Sequence, residues 1–287
     1  MADPSLTLEA PGQESVMKAI GLMYHDVVDS GTSDTSGFLG PDADLYKLDR
    51  ECFADHLRVL AEVLPTNPQR VTDHLPRDAT PVYLTFDDGG VSAHPRTAGM
   101  LEERGWRGHF FVTGGAVGTS GFLSPAEIRE LGDRGHVVGS HSWSHPLRMA
   151  RCDRSTLLEE WSRSKTFLEE LLGAPVNTAS VPGGYYARRV AEAAAEAGIE
   201  ALFTSEPIVR TRRIGSCRVF GRFTVQRWKS ASMAAALATG RMAPAARQYL
   251  LWNAKKLVKI VGGNRYLEIR RRLLTEEQSG EPGPLST

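Results

Sequence analysis

The sequence predicts an α/β fold: a distorted (β/α)7–8 barrel, which need not be complete, with helices appended at its C-terminal end. Three observations carry this. Short β-rich apolar runs alternate with helical patterns in six or seven units, as in a mainly parallel sheet. Several of these runs end in residues able to do chemistry, which parallel barrels gather at the C-terminal ends of their strands. The length, 287 residues, suffices for one such barrel and its core.

Taken in order, Lys18–Val27 is the first strand candidate, followed by a Gly/Ser/Asp-rich loop over Asp29–Asp44. Phe53, Leu57, Leu60 and Leu64 recur at helical spacing up to Pro65. Val82–Phe86 is a strand that ends at Asp87-Asp88-Gly89-Gly90, and a helix is expected from Pro95 to Arg104. Gly108–Thr113 is the next strand. Ser124-Pro125-Ala126-Glu127 then reads as a helix start, with Ser as cap, Pro in the first turn and Glu at the third position. His136–Ser140 is a strand that runs straight into His141-Ser142-Trp143-Ser144-His145. A helix from Asp153 to Leu172 is closed by Gly173. Asn177–Val181 leads into Pro182-Gly183-Gly184-Tyr185-Tyr186. A helix over Arg188–Ala197 and a strand at Ile199–Thr204 complete the rhythm.

The domain reading is a flexible stretch at 1–15, a barrel at 16–228, a basic helical extension at 229–274 and a disordered tail at 275–287. The 34 Lys and Arg balance 34 Asp and Glu, which argues against a dedicated nucleic-acid binder. Residues 241–273 are an exception, with many basic residues, one acid (Glu268) and interleaved apolar residues. They are expected to pack on the barrel with a solvated basic face, or to contact a membrane surface peripherally or an anionic glycan. The N-terminus lacks a basic start and an apolar stretch, so the expected location is the cytoplasm, with the inner membrane surface as a place of association. Oligomeric state is not legible. Cys52, Cys152 and Cys217 are too few and scattered for a disulfide framework.

Four strand ends carry the chemistry. Asp87 and Asp88 are adjacent, so the pair can serve two tasks, one binding a metal and the other moving a proton. Burying both costs desolvation and repulsion unless a cation compensates. His141 and His145, at i and i+4 on one expected helical turn, can share that cation. Tyr24-His25-Asp26 ends the first strand. The Gly183-Gly184 pair lets backbone N–H groups approach a ligand. His56 is expected on the surface, and His94 lacks a partner at a useful spacing.

Together these motifs resemble the polysaccharide deacetylase family, also called NodB-homology or carbohydrate esterase family 4 proteins. The likeness covers Lys18 to Thr204. It implies an enzyme that removes the N-acetyl group from an N-acetylglucosamine-type amino sugar, in a polysaccharide or a lipid-linked glycan precursor. It implies a divalent metal, zinc first and nickel or cobalt as alternatives, held by Asp88, His141 and His145. Asp87 matches the general base. Gly183 matches the residue whose amide holds the oxyanion, and Tyr185 and Trp143 are the expected sugar-contacting residues. Two departures stand out. The family's third motif has Arg two residues before Pro, where this chain has Ser180, so the tuning of Asp87 is in question. No His follows His145, but Leu22-Met23-Tyr24-His25-Asp26 resembles the circularly permuted early motif of poly-N-acetylglucosamine-type deacetylases, making His25 the candidate acid. The alternatives are a deacetylase of a small amino-sugar glycoside, an O-acetyl esterase, and a catalytically silent sugar-binding module.

Overall fold

The computed structural model describes residues 17–76, 78–184, 186–241, 245, 246 and 248–250. Eleven strands follow in chain order: β1 Ile20–Tyr24, β2 Val27–Val28, β3 Leu48–Asp49, β4 Val82–Phe86, β5 His109–Val112, β6 Val137–Ser140, β7 Thr178–Ser180, β8 Ala201–Phe203, β9 Arg212–Ile214, β10 Cys217–Phe220 and β11 Arg222–Thr224. The helices are α1 Pro41–Asp44, α2 Arg50–Val63, α3 Gly99–Glu102, α4 Pro125–Asp133, α5 Arg154–Leu172, α6 Arg188–Glu196 and α7 Ala231–Ala238.

Nine strands form one sheet in the order β11-β1-β4-β5-β6-β7-β8-β10-β9, parallel throughout except for the β9–β10 pair. Only Gly221 separates β10, which pairs with β8, from β11, which pairs with β1. One stretch of chain therefore steps from β10, next to the β9 edge, to β11 at the opposite edge of the sheet. A side chain at Gly221 would lie 2.4 Å from the carbonyl oxygens of both Glu206 and Ile208, so the step requires glycine.

Side chains alternate across the strands. Val82, Leu84 and Phe86 point outward, into a core shared with Phe53, Leu57 and Leu60 of α2. Tyr83, Phe111, Phe203 and Phe220 form a second cluster, with Phe203 stacked on Phe220 at 4.9 Å between centroids. Register carries the Tyr83 face upward through Thr85 to Asp87, and across to Gly21 and Arg222 of the neighbouring strands.

Several expected elements keep their predicted extent. The capping box is formed, with Ser124 accepting from the Glu127 amide and the Glu127 carboxylate accepting from the Ser124 amide. Gly173 closes α5 at φ 62°. Other readings change. The helix expected at Pro95–Arg104 starts as a π turn over His94–Ala98 before α3. The Asp29–Asp44 loop is built, with a 3-10 turn at Ser33–Thr35 and then α1. His56 is fully buried rather than on the surface, bonded to Tyr24 and to the Lys229 carbonyl. His94 bonds Glu130 at 2.7 Å. The 1–15 and 275–287 readings lie outside the described residues, as does nearly all of the basic 241–273 segment. Among the described residues no helix is long and apolar enough to cross a membrane.

Candidate active site at the strand ends

Asp87 follows β4 directly and is buried, with 5% exposure. Arg222, fully buried on β11, meets it with two bonds: Nη1 donates to Oδ1 at 2.6 Å and Nη2 to Oδ2 at 2.8 Å. Nη1 also donates to Thr85 Oγ1 and Nε to the Thr204 carbonyl, which fixes the fork. Room for this side chain comes from Gly21, where a Cβ would lie 2.6 Å from Arg222 Cγ. Ser180 Oγ donates to Asp87 Oδ1 at 3.0 Å. Burial pushes the Asp87 carboxyl up. The charge of Arg222, then that of His141, the Arg222 hydrogen bonds and the charge of His25 outweigh it and hold the group below the usual carboxylate range.

Asp88 turns away from this layer in the left-handed region, at φ 75°. Its Oδ1 stands 3.3 Å from His141 Nε2 and 3.4 Å from His145 Nε2. The two histidines are not on a helical turn as expected. They sit on a loop with Ser142 at φ 65° and His145 at φ 55°, which brings the rings to 5.1 Å between centroids. The Ser142 hydroxyl accepts from the His145 amide at 3.1 Å. On His141, Nδ1 faces the Ser180 carbonyl at 3.1 Å and the Ser180 hydroxyl at 2.6 Å. With the hydroxyl proton directed at Asp87, these contacts assign the ring proton to Nδ1 and leave the Nε2 lone pair toward Asp88.

A lone pair facing a carboxylate at that distance needs a positive charge between them. Ligand atoms at tetrahedral angles with bonds of about 2.0–2.1 Å lie about 3.3 Å apart, the separation found here. The three ligand atoms lie within 4.8 Å of one another, so the trio can hold a divalent cation. With protons on the two Nε2 atoms in place of a cation, burial still raises the Asp88 carboxyl, but the hydrogen bonds from His141 and His145, with the His25 charge, hold it well below its usual range. Burial lowers His145, and its hydrogen bond to Asp88 more than reverses this.

His25, half-buried one residue past β1, is electrostatically coupled to both Asp87 and Asp88. Its buried Nδ1 has no hydrogen-bond partner among the described residues, and the Tyr46 ring lies 4.6 Å away. The loop after β2 also sends Phe38 against His145, at 4.7 Å. Gly183 turns at φ 66°, where a Cβ would meet the Leu147 carbonyl oxygen at 2.8 Å. Tyr185 lies outside the described residues. The Trp143 side chain is placed on α5, edge-on to Phe167 at 5.6 Å and under the Arg163 guanidinium at 4.0 Å.

The profile of the family described as Polysaccharide deacetylase matches residues 74–202, the stretch that holds Asp87, Asp88, both histidines and Gly183. Over residues 74–202 the chain is thus similar to the polysaccharide deacetylase family. The protein named "Putative polysaccharide deacetylase YxkH" of Bacillus subtilis (strain 168) is 24% identical over 200 residues, which cover 68% of this chain and 67% of YxkH. The peptidoglycan-N-acetylmuramic acid deacetylase PdaA of the same organism is 38% identical over 66 residues, 23% of this chain and 24% of PdaA. The chain thus spans two thirds of one relative and a quarter of the other. IcaB from Ammonifex degensii superposes with a TM-score of 0.61 at 25% identity, over 77% of this chain and 97% of that one.

Within this deacetylase fold, Arg222 is the site residue that the sequence reading missed. Its partner Asp87 lies 135 positions earlier, so no local spacing connects them. Gly21 was the available signal, since a side chain there would meet Arg222 and the Gly221 carbonyl.

Proposed function

We propose that the protein is a metal-dependent hydrolase that removes the N-acetyl group from an N-acetylglucosamine-type sugar, in a polysaccharide or a lipid-linked glycan precursor. The observation that carries this reading is the division of labour between two adjacent carboxylates. Asp88 stands within 3.4 Å of two imidazole Nε2 atoms, while Asp87 is turned to a buried arginine and left out of the trio. The similarity to the polysaccharide deacetylase family over residues 74–202, and to the peptidoglycan-N-acetylmuramic acid deacetylase PdaA, supports the class of reaction.

Asp88, His141 and His145 would hold the cation, zinc being the first choice. A divalent cation bound there would polarise the acetyl carbonyl and lower the pKa of a water. Asp87 stays ionised and keeps an unused lone pair on Oδ2 beyond the Arg222 bond, so it can take the proton of the attacking water. The Gly183 turn would offer its N–H to the developing oxyanion, a contact of the kind whose loss costs about 3–4 kcal/mol of barrier lowering. His25 would protonate the nitrogen as the C–N bond breaks, releasing free amine and acetate. An amide needs that proton because its anion is a very poor leaving group.

Acetate release from N-acetylchitooligosaccharides tests the reading. Turnover is expected to stop with a chelator and to return with zinc. Release of acetate from O-acetyl sugars alone, retained in His25→Ala, would replace the amidase by an esterase. No release from any acetylated sugar would leave a binding module. Co-sedimentation with liposomes, lost on removal of residues 241–287, is expected if the glycan is lipid-linked; unchanged partitioning would remove that part.

A further inference from the structure

The loop from His141 to His145 has five backbone N–H groups, and the structure shows where each one goes. His141 donates to the Val112 carbonyl at 2.8 Å, and Ser142 to the Ser140 hydroxyl at 3.1 Å. His145 donates to the Ser142 hydroxyl at 3.1 Å. The remaining two, Trp143 and Ser144, both donate to one atom of α5: Glu160 Oε2, at 2.9 and 2.8 Å. The other oxygen of that carboxylate, Oε1, accepts from the Ser144 hydroxyl at 2.6 Å. Glu160 is 8% exposed. One helical turn later, Ser164 takes the Ser140 hydroxyl proton at 2.8 Å, so the same face of α5 ties the loop at both ends.

We propose that Glu160 is a positioning residue for the cation site: it holds the loop in the one shape that turns His141 and His145 toward Asp88. The shape needs holding. Ser142 and His145 both carry positive φ, a conformation that strains an ordinary residue and persists only where surroundings fix it. Two adjacent N–H groups converging on one carboxylate oxygen make strong charge-assisted bonds. Without them both amides lose their protein acceptor, and the loop is free to relax to negative φ and separate the imidazoles. Gly114 and Gly115 close the other side, donating to the Ser142 and Trp143 carbonyls at 3.1 and 2.8 Å. A side chain at either glycine would strike Trp143 within 3.0 Å, so that wall also admits only one loop position.

This inference rests on the cation-binding reading of the trio, and the experiment separates the two. Zinc affinity is measured by chelator competition on the full chain, with amide hydrogen exchange at Trp143 and Ser144 recorded on the metal-free protein. Glu160→Ala is expected to bind zinc about 10–100-fold more weakly, the usual effect of losing an outer-shell partner, and to exchange both amides faster. Glu160→Gln is expected to recover most of the affinity, because its carbonyl oxygen can accept both N–H bonds and its amide can donate to Ser144 Oγ. Ser144→Ala, an exposed change that leaves the core intact, is expected to weaken binding about twofold to fivefold through loss of one bond of three. Wild-type affinity and wild-type exchange in Glu160→Ala would overturn the proposal while leaving the cation site standing. If Glu160→Ala does not fold, unaltered affinity in Ser144→Ala overturns it. Failure of the wild-type protein to bind zinc would instead overturn the reading beneath it.

Discussion

Asp87 and Arg222 form a fully buried pair, and their geometry fixes what each can be exchanged for. Arginine presents a planar fork that meets both carboxylate oxygens, whereas lysine offers a point charge that reaches one. Arg222→Lys is therefore expected to keep the charge balance but to let the Asp87 carboxylate rotate. The expected result is a fall in kcat of about 10²-fold with little change in KM, measured as acetate release at saturating zinc. An unchanged kcat would show that Ser180 alone suffices to orient the base. This pair also shows where sequence reasoning stops. Asp87, Asp88, His141 and His145 were legible because each motif is local, with the chemistry compressed into two to five residues. The orienting arginine was not, because its contact is made only when β11 lies beside β1. His56 was misread for a related reason: its partners, Tyr24 and Lys229, come from distant segments.

Helix and strand ends decide how the elements hold their positions. Strand β4 was predicted with its observed bounds because an apolar β-rich run stops at two acids and two glycines. Helix α4 was legible from its cap. Ser124→Ala removes the hydroxyl half of the capping box, leaving the residue 124 amide on the Glu127 carboxylate, and is expected to cost about 1 kcal/mol in urea denaturation, without affecting catalysis. The His141–His145 segment was assigned to a helical turn because i, i+4 spacing is shared by helices and by this loop. The hydrogen bonds that decide the matter come from α5, at 16 and 17 residues' separation, and leave no trace in the motif itself. Gly221 governs the step between β10 and β11. Gly221→Ala would force a methyl against two carbonyl oxygens at 2.4 Å. A loss of about 1–3 kcal/mol or more is expected, with Arg222 displaced and activity reduced together. A variant as stable as wild type would mean that the two strands can separate without harm.

At the scale of the whole molecule, the inner face of the nine-stranded sheet combines an apolar lower layer with a charged upper one. His109 belongs to the lower part, fully buried beside Tyr83, Phe111 and Phe203. Its Nδ1 donates to the Leu84 carbonyl and its Nε2 accepts from the Val71 amide, so the ring is held neutral and a second proton would break a bond. Burial pushes its pKa down to about 4. The unfolded chain takes up that proton near pH 6.5, so between about 6.5 and 4 the unfolded state binds more protons than the folded one. Stability is then expected to fall as the pH drops through that window, by up to roughly 3 kcal/mol from this one group, with no further loss from it below about 4. His109→Gln should flatten that part of the stability profile; an unchanged slope would assign the effect to other groups.

The upper layer is where the account is most exposed to test. Two segments more than fifty positions apart deliver Asp88 Oδ1 and two imidazole Nε2 atoms to within 3.3 and 3.4 Å. That convergence has a direct measurement: zinc stoichiometry on dialysed protein, wild type against Asp88→Ala. One tightly held equivalent in the wild type and none in the variant is the expected result. A wild type that takes up no zinc, nickel or cobalt, or a variant that still retains a full equivalent, would contradict the account.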